Sequence, residues 1–399
     1  MALLSVTEAL ARVTEGLAPL YAERVPLGEC RGRVLAEDLA ACLTQPPFDA
    51  SAMDGYAVRA EDVAALPATL RLIGESLAGS GYDGEVSPGE AVRIFTGAPV
   101  PKGADTVVIQ EDTDAAPGVV IVKAAAPHRH IRPRGQDFTI GEVLLRAGLR
   151  LGPRELMLAA AMNHAELPVR RKPKVAILAT GDEVVPPGTE LARDQVDSSV
   201  PAGLAALIEA KGGEPMSLGI AKDTAESLIT LARTGSAADI LVTIGGASVG
   251  ERDLVSAALR SEGLELDFWK IAMRPGKPLL YGRLSTQRVL GLPGNPVSAL
   301  ICGLVVLVPM LHRLLGLREG AEGNVEATLG QAVEANGPRQ HYMRSTSQWE
   351  AGERRVTPLP SQDSSLMADF ARADCLIVRP PDAPALAPGA RVTILPLDV

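Results

Sequence analysis

Near the start of the chain, apolar residues recur at Val6, Ala9, Leu10, Val13 and Leu17, which is one face of a helix. Ser5 and Glu8 supply a Ser-x-x-Glu capping box, so the pattern predicts a helix over residues 5–18. A second short element is expected at 32–36. Between about 68 and 145 the spacing changes. Runs at 69–73, 91–95, 106–109 and 119–122 read as short strands separated by Gly, Pro and Asp, with a long turn at 96–103. A helix is predicted at 153–167, with Pro153 as its first residue, followed by a charged, proline-bounded connector. From 174 to about 315, strand runs (175–179, 215–220, 240–244, 266–271, 288–292) alternate with helical ones (199–211, 223–234, 251–262, 296–315). Such alternation predicts parallel strands with crossover helices. After 323 the β pattern returns at 325–329, 341–345, 355–359, 375–379 and 392–395, which predicts a small barrel or sandwich.

A length of 399 residues implies two to four domains. Apolar residues make up 46% of the chain and can fill large cores, whereas 3% aromatics leave little for recognition by stacking. The net charge of −9 argues against a nucleic acid held through its phosphates. Cys30, Cys42, Cys302 and Cys375 are scattered without a C-x-x-C pair, and the five histidines make no helical metal pair. A zinc or redox motif is therefore not expected, and a reducing compartment is. No basic start leads into an apolar core, and the apolar run 300–311 contains Gly303 and Pro309. The expectation is a cytoplasmic protein that does not enter a membrane.

The chemistry collects where ligands of open α/β sheets bind, beyond the carboxyl ends of the strands. The first strand is followed by Thr180, Gly181, Asp182 and Glu183, and the second by Lys222 and Asp223. After the third come Gly245, Gly246, Ser248, Gly250 and Asp253, where glycines permit close approach of an anion to backbone N–H groups. The last strand leads into Pro293, Gly294, Asn295, Pro296 and Ser298. Asn295 suits an N-cap and Pro296 a first helical position, so this helix start also faces the site. Arg274 and Lys277 lie between prolines just before that strand. Carboxylates without thiolates, beside cations, suit Mg²⁺ completed by substrate phosphates. No Walker A, dinucleotide or nucleophile-elbow pattern is present. Two loops are shaped by composition: 46–57, with its prolines, aspartates and glycine, and the basic 128–137. By residue type alone, each reads either as a connector or as a contact.

Five stretches change the picture when taken in order: 46–57, 96–103, 180–183, 245–253, and 273–278 together with 292–298. With Pro-Pro-Phe-Asp, Ala-Met-Asp-Gly-Tyr-Ala and Leu-Pro-Gly-Asn-Pro-Val-Ser among them, the chain resembles the molybdopterin molybdenumtransferase family (bacterial MoeA and the E domain of gephyrin) from about residue 5 to its end. The resemblance implies a multidomain α/β protein. Residues 1–21 and 173–322 would form a three-layer molybdopterin-binding α/β domain. Residues 22–41 and 142–172 would form a small linking α/β domain, 42–141 a β-rich insertion, and 323–399 a barrel-like β domain. It also implies a homodimer with shared active sites, a possible contact with the adenylyltransferase partner protein, and a Mg²⁺-dependent reaction. Adenylylated molybdopterin and molybdate would yield molybdenum cofactor and AMP. Glu183, Asp223 and Asp253 match the family's essential acids, with Lys277 as the lysine of Pro-Gly-Lys-Pro. Asp54, Thr96 and Asp137 would complete the site from the other subunit. Arg274, Lys277 and hydroxyls such as Ser248 or Ser298 would hold molybdate. Arg274 replaces a lysine of several relatives, Ala247 a valine, and Ser199 an asparagine. The rival readings are an adenylyltransferase on the same fold and a pterin-binding scaffold without turnover.

Overall fold

The computed structural model describes residues 3–246, 254–318, 323–350 and 352–397. Its largest unit is a six-stranded sheet with the order Glu214–Ala221, Lys174–Thr180, Ile240–Ile244, Gln287–Leu292, Pro278–Leu284, Glu265–Lys270. The first four strands are parallel. The last two run antiparallel to their neighbours, which corrects the expectation of parallel strands throughout. Pro278–Leu284 is a strand the apolar pattern did not mark, because Pro278 and Gly282 interrupt it. Only Ser285 and Thr286 separate it from Gln287–Leu292, so the connection is a hairpin, too short for a crossover.

Successive side chains of each strand face opposite sides. Val175, Ile177, Ile240, Val242, Ile244 and Leu290 pack with the helices Val200–Ala210 and Val308–Leu315. Ala176, Leu178, Leu241 and Val289 pack against Ala225–Thr234 and Leu254–Ser261. Helices thus cover both faces, giving three layers. The amino-terminal helix joins the first of these cores through Val6, Ala9 and Val13. Both bonds of its capping box form at Ser5, but the helix spans Val6–Thr14, shorter than expected, and Gly16 with φ 66° turns the chain away.

Residues 296–315 form one helical segment, as predicted, and Gly303 and Pro309 do not break the apolar run 300–311 within it. Pro309 has no N–H to donate, and the segment passes through a π-helical turn at Gly303–Leu307 instead of breaking. By length and composition alone this segment could cross a membrane, but 72% of its apolar window is buried in the protein core. A further correction falls at 153–167. The helix stops at Ala161, Asn163 adopts φ 70°, and Glu166–Arg170 is a strand paired antiparallel with Ala22–Pro26. Leu167 and Val169 alternate into a small separate core with Leu35, Leu151 and Met162.

The inserted segment forms a curled six-stranded sheet with the order Thr106–Ile109, Gly55–Val58, Glu90–Ile94, Ala68–Ser76, Val119–Val122, Thr113–Ala116. Gly55 opens one of these strands, so the expected loop 46–57 becomes sheet at its end. A Cβ there would lie 1.9 Å from the Val108 carbonyl oxygen. The carboxyl-terminal region is a closed five-stranded barrel and not a sandwich. Its strand Gln340–Glu350 pairs with both Glu353–Pro358 and Cys375–Arg379, and Val325–Leu329 with Arg391–Pro396 completes the ring. Met273–Arg274 adds to the barrel by pairing with Gln340–His341, which fastens it to the α/β unit.

At that junction His341 is 7% exposed. Burial, with Arg274, Arg339, Arg344 and Arg379 around it, pushes its imidazole down to about 4. A base depressed on folding contributes stability that is complete above its ordinary value, 6.5, and is lost as pH falls from there toward 4. Denaturant titrations of the barrel transition should therefore lose up to about 3 kcal/mol over that interval. His341→Gln should flatten the loss, whereas an unchanged pH profile in the variant would assign the loss to other groups.

Candidate active site

Three strand ends meet at bare backbone. Thr180 Oγ1, nearly buried, donates to the Ile244 carbonyl at 3.2 Å and ties the first strand end to the third. Gly245 N donates to the Leu292 carbonyl at 3.1 Å and ties the third to the last. Gly245 and Gly246 have φ 87° and 64°, the left-handed region that favours glycine. A Cβ at Gly246 would lie 2.2 Å from Val255 Cγ2, and one at Gly245 would lie 3.0 Å from Thr180 Oγ1. Beside this backbone opens a cavity of about 1050 Å³.

Of the residues expected from sequence, Glu183, Asp223, Lys277, Gly245, Gly246, Pro293 and Pro296 line this cavity. Gly181, with φ 136°, lets the chain fold back against Glu183, and a Cβ on it would lie 2.7 Å from Oε2. Asp182 plays a different part, its Oδ1 accepting the Asp223 N–H at 3.1 Å, which steadies the turn that presents Asp223. Ser248, Gly250 and Asp253 lie outside the described residues.

Other expected residues sit elsewhere. Asn295 caps the helix Pro296–Cys302, its Oδ1 accepting from Ser298 N and Ser298 Oγ, both at 3.4 Å. Ser298 is 6% exposed and is occupied in this cap rather than lining the cavity. Arg274 is exposed on the strand that meets the barrel. Asp54, Thr96 and Asp137 belong to the inserted segment, which contributes nothing to the cavity wall of its own chain. There Asp54 Oδ1 accepts from Thr96 N and Thr96 Oγ1, each at 2.8 Å. These bonds, with the charge of Arg93, hold the Asp54 carboxyl below its ordinary value. Asp137 N donates to the Gln45 carbonyl at 3.0 Å, fixing the second loop against the first.

Three wall elements were missed or undervalued from sequence. Lys270 lines the cavity, and its Nζ stands 4.0 Å from the Trp269 ring centroid. Its position at the end of a strand, beside the Arg274–Lys277 turn, was the available signal. The segment 196–199 forms another wall, although sequence showed it only as a departure from relatives. Met367 reaches in from the barrel side, where Ser199 Oγ donates to its sulfur at 3.5 Å. Nothing in the local pattern around Met367 marks it.

Three carboxylates (Glu183, Asp197 and Asp223) and two lysines (Lys270 and Lys277) thus share a cavity with unprotected glycine backbone. Among the described residues no three of His, Cys, Asp and Glu gather as a metal site. Glu183 and Asp223 are two hard oxygen donors, a set that fits Mg²⁺ completed by water and substrate phosphates.

The fold and cavity define a multidomain α/β protein with a cavity at the carboxyl ends of its parallel strands. Three family profiles match in order: "MoeA N-terminal region (domain I and II)" over residues 4–163, "Probable molybdopterin binding domain" over 176–313, and "MoeA C-terminal region (domain IV)" over 326–397. A molybdopterin molybdenumtransferase of Haemophilus influenzae is 34% identical over 99% of both chains. Molybdopterin molybdenumtransferase 2 of Mycobacterium tuberculosis is 35% identical over 98% of both. The crystal structure of the molybdopterin biosynthesis moeA protein from Pyrococcus horikoshii superposes with a TM-score of 0.86 at 33% identity, covering both chains entirely. The chain belongs to the molybdopterin molybdenumtransferase family, a family of transferases in molybdenum cofactor biosynthesis.

Lys270 lines the cavity, which makes it a candidate anion contact. Lys270→Ala should weaken binding of inorganic pyrophosphate with Mg²⁺ by about fivefold, roughly 1 kcal/mol, in a calorimetric titration. Unchanged affinity would remove Lys270 from the site.

Proposed function

We propose that this chain is a molybdopterin molybdenumtransferase that, with Mg²⁺, converts adenylylated molybdopterin and molybdate into molybdenum cofactor and AMP. The observation that carries this reading is the convergence of Glu183, Asp223, Lys270 and Lys277 around the bare backbone of Gly245 and Gly246. The printed names of the relatives support the same reading.

In this reading the glycine backbone admits the pyrophosphate of the substrate to close range, and Lys270 and Lys277 balance its charge. Glu183 and Asp223, with Asp253 as a third acid, hold Mg²⁺. When bound, the ion supplies positive charge against the phosphoryl oxygens. Pro296 begins a helix whose N-terminal N–H groups favour an anion at the same edge. Arg274 and Lys277 draw molybdate toward the lip of the cavity. Ser298, committed to the Asn295 cap, contributes through that helix start, which leaves Ser248 as the hydroxyl for molybdate. Asp54, Thr96 and Asp137 complete the cavity of a second copy in a homodimer, since their own chain's cavity is built without them.

The same reading divides the chain into 1–21 with 173–322, 22–41 with 142–172, 42–141, and 323–399. It places the protein in the cytoplasm, consistent with four cysteines that form no disulfide. It also allows substrate to be received from an adenylyltransferase partner.

Purified protein supplied with adenylylated molybdopterin, Mg²⁺ and molybdate should release AMP in a molybdate-dependent manner. Glu183→Gln and Lys277→Ala should each lose at least tenfold in rate, about 1.4 kcal/mol of barrier. Near-normal rates in both variants would move the site. Release of pyrophosphate from ATP and molybdopterin would instead favour the adenylyltransferase reading, and pterin binding without turnover would favour a scaffold.

A further inference from the structure

The corner that carries Asp54 is held from three sides. Asp54 is exposed, yet its carboxylate is fixed by the two bonds from Thr96. Its own carbonyl accepts the Gln110 N–H at 3.1 Å. The next carbonyl, that of Gly55, accepts Arg93 Nη1 at 3.1 Å, and Arg93 Nη2 donates to Gln110 Oε1 at 2.7 Å. These bonds close a ring from Asp54 through Gln110 and Arg93 back to Gly55. The guanidinium is itself clamped, 5.0 Å from the Tyr56 ring centroid and 4.8 Å from that of Phe95. Strand register explains the clamp, because Tyr56 and Arg93 are directly opposed on neighbouring strands and Phe95 lies two residues further on the same side. Gly55 is required beneath the ring, since a side chain there would strike the Val108 carbonyl.

A surface aspartate left alone samples several rotamers and must be ordered before it can act. Here that ordering precedes any ligand. We infer that Arg93, assisted by Gln110, is a positioning residue for Asp54: its fork holds the Gly55 carbonyl and the Gln110 side chain, and Gln110 N–H holds the Asp54 carbonyl, so that the carboxylate leaves the inserted sheet in one direction. This rests on the proposed role of Asp54 in the transferase reaction. Neither Arg93 nor Gln110 needs to touch substrate. The fork geometry is essential, because one ammonium cannot serve the Gly55 carbonyl and Gln110 while lying flat between two rings.

The test is steady-state kinetics of Arg93→Met, Arg93→Lys and Gln110→Ala, each also placed in an Asp54→Asn background. Expected are a fall in kcat of about fivefold or more for both Arg93 variants, a smaller fall for Gln110→Ala, and a KM for adenylylated molybdopterin within about twofold of wild type. In the Asp54→Asn background the Arg93 substitutions should add almost nothing, as residues acting as one unit do. A raised KM with unchanged kcat would overturn the proposal by making Arg93 a substrate contact. So would a full-sized effect without Asp54, or full activity in Arg93→Lys. A crystal structure of Arg93→Met supplies a readout independent of turnover. The Asp54 carboxylate should leave Thr96, and retention of both bonds would overturn the proposal. Wild-type protein without molybdate-dependent AMP release would instead count against the transferase reading, and the crystal structure would still decide the role of Arg93.

Discussion

The constraint on which the site depends is the absence of side chains at Gly245 and Gly246. The third strand of the parallel sheet ends between Thr180 and Val255, with no room for a Cβ at Gly246 and little at Gly245. Both residues adopt positive φ, so the chain turns sharply and leaves its backbone facing the cavity. Close contact with Thr180 and Leu292 carries the neighbouring strand ends to the same point. Glu183, Asp223 and Lys277 then need only short loops to line the same cavity. A larger residue at Gly246 would push the Val255 helix away and open the floor of the cavity.

The α/β unit was legible because its signals are local. Apolar runs with β-branched residues marked four of the parallel strands, and the Ser5–Glu8 capping box and the Asn295–Pro296 helix start marked helix ends where they occur. Pro278–Leu284 was not legible, since its burial comes from antiparallel neighbours and its sequence carries Pro and Gly. Glu166–Arg170 was absorbed into the preceding helix for a similar reason: only pairing with Ala22–Pro26, distant in sequence, makes it a strand. The barrel's closure depends on one long strand pairing on both sides, which no local pattern records.

The site divides in the same way. Residues adjacent to strand ends were readable from position and type. Lys270 and Met367 were not singled out, because their value comes from where the last strand and the barrel stand relative to the sheet. Asn295 and Ser298 were readable as a motif, and their observed work is to cap a helix. Arg93 shows a third case. Its role follows from cross-strand register with Tyr56 and from the Gly55 carbonyl on that same neighbouring strand, so only the folded sheet exposes it.

Two structured halves result: a cavity lined by carboxylates and lysines in the α/β unit, and a charged corner in the inserted sheet that its own cavity does not use. If the second half serves the first in another copy, the halves can be inactivated separately and recombined. The direct measurement is AMP release by a refolded or co-expressed mixture of Asp54→Asn and Lys277→Ala chains. Random pairing leaves one intact site in each mixed dimer, so about a quarter of wild-type activity should return from two inactive parents. Activity no higher than that of the separate variants, with mixed dimers demonstrated, would contradict a site shared between chains.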